Sequence, residues 1–337
     1  MSDASLPEGL HMRPATLADV EQAVCVMNSS EIEYCGEPET TENLLRRTWS
    51  QAARKPEENA RVIVTPEDEI VASVDTRNKR HIKIDVELDV LPAYRGQVEL
   101  PLMRWVEERA QAHIALAPED AQVLLGSWAY QHDTQRQQLW KDLGFELVRY
   151  FWTMKRELTQ APEQPQLAPG IRLRTFKELQ KEAPQGEERL ARALFAAHEE
   201  AFSDHWGYIP NIYEEWRQYH LGKEADLSLF FLAMDGEEIV AYARCADEGQ
   251  QGGWVYTLGV RRAWRRQGQA LALLHHAFGE FYQRGTRTIR LGVDAQSLTG
   301  ATRLYECAGM QVERRSAKFE KVLRPGRNMR TLSLNQA

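Results

Sequence analysis

The chain reads as one structural unit written twice, and any fold assigned to it has to accommodate that duplication. Met12-Arg-Pro-Ala-Thr-Leu-Ala-Asp19 corresponds to Ile171-Arg-Leu-Arg-Thr-Phe-Lys-Glu178, each a short strand entering a helix. Thr16 with Asp19, and Thr175 with Glu178, stand at capping-box spacing. A hairpin follows in each half. Arg61 to Thr65 turns at Pro66-Glu-Asp68 into Glu69 to Ala72, and Leu229 to Met234 turns at Asp235-Gly236 into Glu238 to Ala241. A third anchor pairs Val90–Leu100 with Val260–Ala270, and a fourth pairs Leu139–Phe145 with Leu304–Met310. Four anchors in one order, at offsets between 159 and 170 residues, predict tandem duplication. Residues 159–170, with three prolines and no apolar periodicity, read as the linker between the copies.

The second copy carries the stronger chemical signal. Val260-Arg-Arg-Ala-Trp-Arg-Arg-Gln-Gly-Gln-Ala270 follows an apolar strand, Trp254–Val260, and opens a helix over Leu271–Phe278. A helix start presents unpaired N–H groups and a positive dipole end, so it suits an anion. Gly268 lets backbone approach that anion without a Cβ in the way. Four arginines beside this turn, in a chain of net charge −7, point to a phosphate-bearing ligand rather than to general nucleic-acid binding. Downstream, Thr288–Asp294 reads as a strand, and Thr299-Gly-Ala-Thr-Arg-Leu-Tyr-Glu-Cys-Ala-Gly-Met310 as helix, turn and next strand.

These two motifs, in this order, resemble the GCN5-related N-acetyltransferase (GNAT) family over residues 171–323. Arg265-Arg-Gln-Gly268-Gln-Ala270 is similar to the family's Arg/Gln-x-x-Gly-x-Gly/Ala turn, and Asp294 with Ala301 to Met310 is similar to its second segment. Met310 stands where the family usually has Phe. The resemblance implies a mixed α/β fold: two tandem acetyltransferase-like domains, each a mostly antiparallel central sheet flanked by helices. The expected boundaries are 10–157 for a degenerate, non-catalytic domain, 158–170 for the linker, 171–323 for the catalytic domain and 324–337 for a tail.

The resemblance also implies acetyl-CoA as cosubstrate. Backbone around Arg266, Gln267, Gly268, Gln269 and Ala270 would hold the pyrophosphate, and Arg265 would add charge. Leu258 and Val260 would pair with the pantetheine arm, with Asp294 nearby. Tyr305 would protonate the departing thiolate. A phenol, with a pKa of about 10 against about 8.5 for a thiol, is still protonated at neutral pH. The residues alone also allow Tyr305 to be a core tyrosine. The base stays open: Gly253-Trp254-Val255 carries no carboxylate, and Asp247 and Glu248 read equally as a solvated turn. On the acceptor side, Asp204, His205 and Trp206 are expected to meet the amine, with Glu199, Glu200 and Tyr208 close by. An amphipathic helix ending in a buried Trp explains the same pattern.

The first copy lacks this machinery. Val98 stands opposite Gly268, Leu100 opposite Ala270 and Trp140 opposite Tyr305, while Glu99 places a carboxylate in the turn. The function expected is N-acetyl transfer to the primary amine of a small molecule by direct attack, with the C-terminal domain active. The alternative is a non-catalytic acyl-CoA-binding sensor or scaffold, and a nucleic-acid patch on Arg261–Arg266 ranks last. No metal is expected, because His198 and Asp204 find no third ligand at a suitable spacing. No apolar run approaches the ~20 residues of a membrane span. The opening residues lack a signal-peptide pattern, and four cysteines without metal-like spacing read as reduced thiols. A cytoplasmic protein without membrane or nucleic-acid partners is expected. The oligomeric state is not encoded in these patterns.

Overall fold

The structure is a computed structural model describing residues 5–51, 54–223 and 225–333. Along the chain lie β1 (His11–Pro14), α1 (Val20–Cys35), α2 (Glu42–Trp49), α3 (Pro56–Asn59), β2 (Ala60–Val64), β3 (Ile70–Lys79) and β4 (Lys83–Val90). They are followed by α4 (Glu99–Ile114), β5 (Val123–Tyr130), α5 (Thr134–Asp142) and β6 (Glu146–Glu157). The second copy holds β7 (Ile171–Thr175), α6 (Phe176–Glu182), α7 (Glu187–Phe202), α8 (Tyr213–Leu221), β8 (Phe230–Asp235), β9 (Glu238–Asp247) and β10 (Gly253–Val260). It ends with α9 (Gln269–Gln283), β11 (Thr288–Asp294), α10 (Ala301–Cys307) and β12 (Gln311–Arg324).

The duplicated anchors fold alike. Both capping boxes form, Thr16 with Asp19 and Thr175 with Glu178. Both hairpins close, the first with Asp68 at φ +63° and the second on Gly236 at φ +58°. Each copy has three antiparallel pairings, β1 to β4 or β7 to β10, and then one parallel pairing, β4 with β5 or β10 with β11.

The chain divides into two compact units, and the division differs from the expected one. The first unit runs to Arg149 and adds Ser316–Met329; the second is Tyr150–Arg315 with the segment from Arg330. The last strand of each copy therefore serves the other unit. Residues 151–157 of β6 pair antiparallel with β11, and residues 316–324 of β12 pair antiparallel with β5. The expected boundaries at 157 and 323 miss this exchange, because strand periodicity marks a strand and says nothing about its partner. The expected tail also has structure: Arg324 ends β12 and Thr331 bridges to Tyr208, while the last four residues of the chain lie outside the described ones.

In the second unit, β8 is apolar on both faces. Phe230, Leu232 and Met234 pack with Leu194, Ala197 and Trp216 of α7 and α8. Phe231 and Ala233 join Leu273, Leu274, Ala277, Phe278 and Phe281 of α9. A sheet covered by helices on both faces needs such a continuous run rather than alternation. In the first unit, α1 buries Val20, Ala23, Val24, Val26 and Met27.

A fragment covering 171–323 lacks 151–157 and so exposes the ladder edge of β11. It is expected to melt less cooperatively and to aggregate more than the full chain. Circular dichroism melting with light scattering checks this; a sharp, reversible transition at the full chain's temperature would contradict it.

Candidate active site

The turn before α9 is built to leave backbone N–H groups open. After β10 the chain makes a single 3-10 turn at Arg262–Trp264, and Arg266 and Gly268 then adopt left-handed conformations at φ +61° and +82°. Gly268 is the N-cap of α9, so no side chain caps the first turn of the helix. A Cβ placed on Gly268 would meet no atom within 4 Å. The space and open donors there suit a pyrophosphate approached by backbone. Arg266 holds left-handed geometry without being glycine, which costs about 1–2 kcal/mol and is characteristic of functional turns. Gln269 is 1% exposed, and neither atom of its amide has a hydrogen-bond partner among the described residues.

Three of the four arginines have another task. Arg261 pairs with Glu200 at 2.7 Å and with Glu238. Arg262 and Arg265 share Asp204 at 2.8 and 2.5 Å, and Glu200 also accepts the Arg262 backbone N–H at 2.9 Å. Arg265 donates further to the carbonyls of Val260 and Ala201. The cluster thus ties the turn to the end of α7. The charge expected from Arg265 at the pyrophosphate is committed to Asp204, and Arg266 is the one of the four making no ion pair among the described residues. This engagement also leaves little of the stretch as a nucleic-acid patch.

The neighbouring cleft arises where two strands part. β10 and β11 pair only at Gly253 with Ile289 and Trp254 with Arg290. Beyond that, β10 bulges between Val255 and Thr257 against β9 and runs on to Val260, while β11 stays with β6 as far as Asp294. The wedge holds a cleft of about 170 Å³, lined by Val255 to Leu258 on one side and Gly292 to Asp294 on the other. Leu258 lines it. Val260 lies at the far end of β10, with its carbonyl already taken by Arg265 Nε at 3.1 Å. Asp294 lines the cleft and caps the turn beyond β11, its Oδ1 accepting the Gln296 N–H at 2.9 Å.

Tyr305 of α10 reaches the same cleft while 8% exposed. Its hydroxyl makes no hydrogen bond among the described residues, and burial pushes its pKa up to about 12. The core-packing and cleft-lining roles are therefore compatible: the ring packs with Leu291, Val293 and Met310, and the residue borders the cavity.

Asp204, His205 and Trp206 all line this cleft. The amine-attracting role expected of Asp204 gives way to the arginine pair, whose hydrogen bonds hold its pKa down to about 2 against the opposing effect of burial. Glu199 is also engaged, accepting from the Asn211 amide at 2.8 Å. His205, exposed overall, lies tilted beside Phe202 with ring centroids 4.4 Å apart, and desolvation on its inner side with the nearby Arg265 charge lowers its pKa. Trp206 lies under the Arg330 guanidinium at 5.7 Å, and Gly207 and Tyr208 hydrogen-bond to Thr331. Phe151, Phe202, Ser297 and Leu298 also line it and were not singled out by the sequence. Asp247 and Glu248 bond Thr286 and Tyr256 instead of entering the cleft. Among the described residues, no group of three or more His, Cys, Asp or Glu side chains could hold a metal ion, and no helix is long and apolar enough to cross a membrane.

The first unit repeats the wedge with different contents. β4 and β5 pair at three positions, Lys83 to Asp85 with Leu124 to Gly126, and a cleft of about 330 Å³ opens beyond them. Arg136 fills part of it, bonding the Leu88 carbonyl, Asp89 and Ser30. Trp140, opposite Tyr305, is fully buried and donates to the Trp128 carbonyl at 3.0 Å. Val98, opposite Gly268, is wholly buried, and its φ of −120° departs from the Gly268 geometry.

Because the Asp204 pKa is lower in the folded chain than in the unfolded one, its stabilisation is full above about pH 4 and disappears as pH falls toward 2. Asp204→Asn is expected to cost about 2 kcal/mol at pH 7 and to lose most of that effect near pH 2. Urea unfolding at both pH values measures it; an equal loss at both would contradict the ion-pair account.

A model of the Acetyltransferase (GNAT) family matches residues 189–310. The mycothiol acetyltransferase of Thermobispora bispora is 31% identical over 188 residues, covering 54% of this chain and 60% of that protein's length. The crystal structure of a GCN5-related N-acetyltransferase from Sphaerobacter thermophilus superposes with a TM-score of 0.80 at 33% identity, covering 96% of this chain and 99% of that one. A tandem GNAT protein from the clavulanic acid biosynthesis pathway shares the fold at a TM-score of 0.66 and 12% identity, covering 94% of this chain and 100% of its own. With the diverging strands, the open turn at Gly268 and this full-length similarity together, the chain belongs to the GCN5-related N-acetyltransferase (GNAT) family.

Proposed function

We propose that the second unit transfers an acetyl group from acetyl-CoA to the primary amine of a small molecule by direct attack, and that the first unit is non-catalytic. The observation that carries this reading is that one unit holds both an open helix-start turn and a cleft between diverging strands. The turn at Gly268 opens on a cavity lined by Gln267, Gly268, Leu271 and His275, while Leu258 of β10 and the buried Tyr305 line the wedge between β10 and β11. Similarity to mycothiol acetyltransferases supports acetyl transfer as the reaction class; it does not identify the acceptor here.

Acetyl-CoA supplies an acyl group activated as a thioester. The residues of this chain bind and orient it. Turn amides from Arg266 to Ala270 face the pyrophosphate, with Arg266 as the available cation. The strand edge at Leu258 offers main-chain hydrogen bonds to the amides of the arm. The acceptor nitrogen enters from the side of His205 and Trp206 and attacks the thioester carbonyl. The carbon–sulfur bond breaks, the Tyr305 hydroxyl protonates the leaving sulfur, and the proton lost by the amine restores the phenol, directly or through water. His205, with its pKa lowered, is a neutral acceptor in the same cleft for that proton.

Thiol release from acetyl-CoA with a panel of amines tests the activity. Tyr305→Phe is expected to lower kcat about 10²-fold or more while the Kd for coenzyme A changes little. A non-catalytic acyl-CoA binder would show binding and no turnover in either protein. With the Tyr305 pKa pushed up to about 12, the phenol stays protonated and no loss of kcat from this residue is expected below about pH 11. A Tyr305-dependent decline between pH 8 and 10 would contradict the raised pKa. Direct attack also predicts intersecting initial-rate lines; parallel lines with a trappable acyl-cysteine would overturn it.

A further inference from the structure

The two turns differ in what occupies their amides. In the first unit, Glu99 folds back on its own turn. Its Oε1 accepts the Gly96 N–H at 2.9 Å and its Oε2 accepts the Val98 N–H at 3.2 Å, with the residue 8% exposed. This is a carboxylate bound by backbone donors at a helix start, the same arrangement a phosphoryl group would adopt. In the second unit the corresponding residue is Gln269, 1% exposed, and its amide atoms bond neither the turn nor anything else among the described residues. The side chains are nearly the same size and differ in charge, while the residue before each also differs in backbone angle, Val98 at φ −120° against Gly268 at φ +82°. A carboxylate gains charge-assisted bonds to two N–H groups, and a neutral amide gains much less.

We propose that the residue at this position decides which unit accepts a phosphate-bearing ligand. Glu99 is a resident anion that fills the first turn, and the neutral Gln269 leaves the second turn open to the pyrophosphate of coenzyme A. The second half of this statement rests on the reading of the second unit given above; the first half does not. A tethered carboxylate competes with any free phosphate at an effective concentration no metabolite reaches, so the first turn stays closed whatever the coenzyme concentration.

Two variants of the full chain test this. Gln269→Glu should weaken coenzyme A binding at least tenfold by calorimetry, while affinity for pantetheine, which has no phosphate, changes less than threefold. The ratio to the unsubstituted protein should persist in 1 M NaCl, since an occupied turn, unlike exposed charge repulsion, is little screened. Coenzyme A affinity within threefold of the original, a parallel loss of pantetheine, or a ratio that collapses with salt would each overturn the proposal. Glu99→Gln should speed hydrogen exchange at the Gly96 and Val98 amides at least tenfold without changing the amides of β3. Unchanged exchange there would overturn the resident-anion half. Failure of the unsubstituted chain to bind coenzyme A would instead sink the functional reading, and the exchange result would still decide the role of Glu99.

Discussion

Parallel pairing between β10 and β11 stops after two residues, and the chemistry available to the second unit follows from that interruption. A sheet that stayed paired would satisfy every donor and acceptor of both strands and leave no room between them. The bulge at Tyr256 turns β10 away, and β11 keeps its other neighbour, β6. The result is an interior wedge between two strands, bordered by a buried phenol. Interrupted pairing is normally a liability; here β10 leads on to a helix start whose first turn no side chain caps.

The basic stretch that leads into α9 holds this arrangement still more than it attracts a ligand. Asp204 is buried and receives two guanidinium groups, so removing it leaves both arginines without their carboxylate. Through it, the position of the turn is coupled to the end of α7 and to the cleft-lining residues His205 and Trp206. Turn and cleft share one electrostatic joint.

Much of this was legible in the sequence and some was not, for physical reasons that differ by residue. The capping boxes, the hairpins and the turn at Gly268 depend on neighbours a few positions away, and all formed where the pattern placed them. Tyr305 was readable because a local motif surrounds it. The engagement of Asp204 with Arg262 and Arg265 spans about 60 positions of chain, and no local pattern distinguishes a paired carboxylate from a free one. The burial of Val98 was not legible, because its side-chain direction depends on a backbone angle that only the turn as a whole determines. The exchange of β6 and β12 was hidden for a similar reason: a strand's own residues do not name its partner.

That exchange bears on how the molecule comes into being. During synthesis β5 emerges long before residues 316–324, its partner on one side, and loop-closure entropy over such a separation must be met before the ladder forms. The first half therefore leaves the ribosome unable to finish its own sheet, unlike domains that fold in order as they emerge. It also means that residues 150–157 of the first copy belong to the second unit. Selection on the pair is therefore expected to persist in β6 and β12 whatever changes in either cleft.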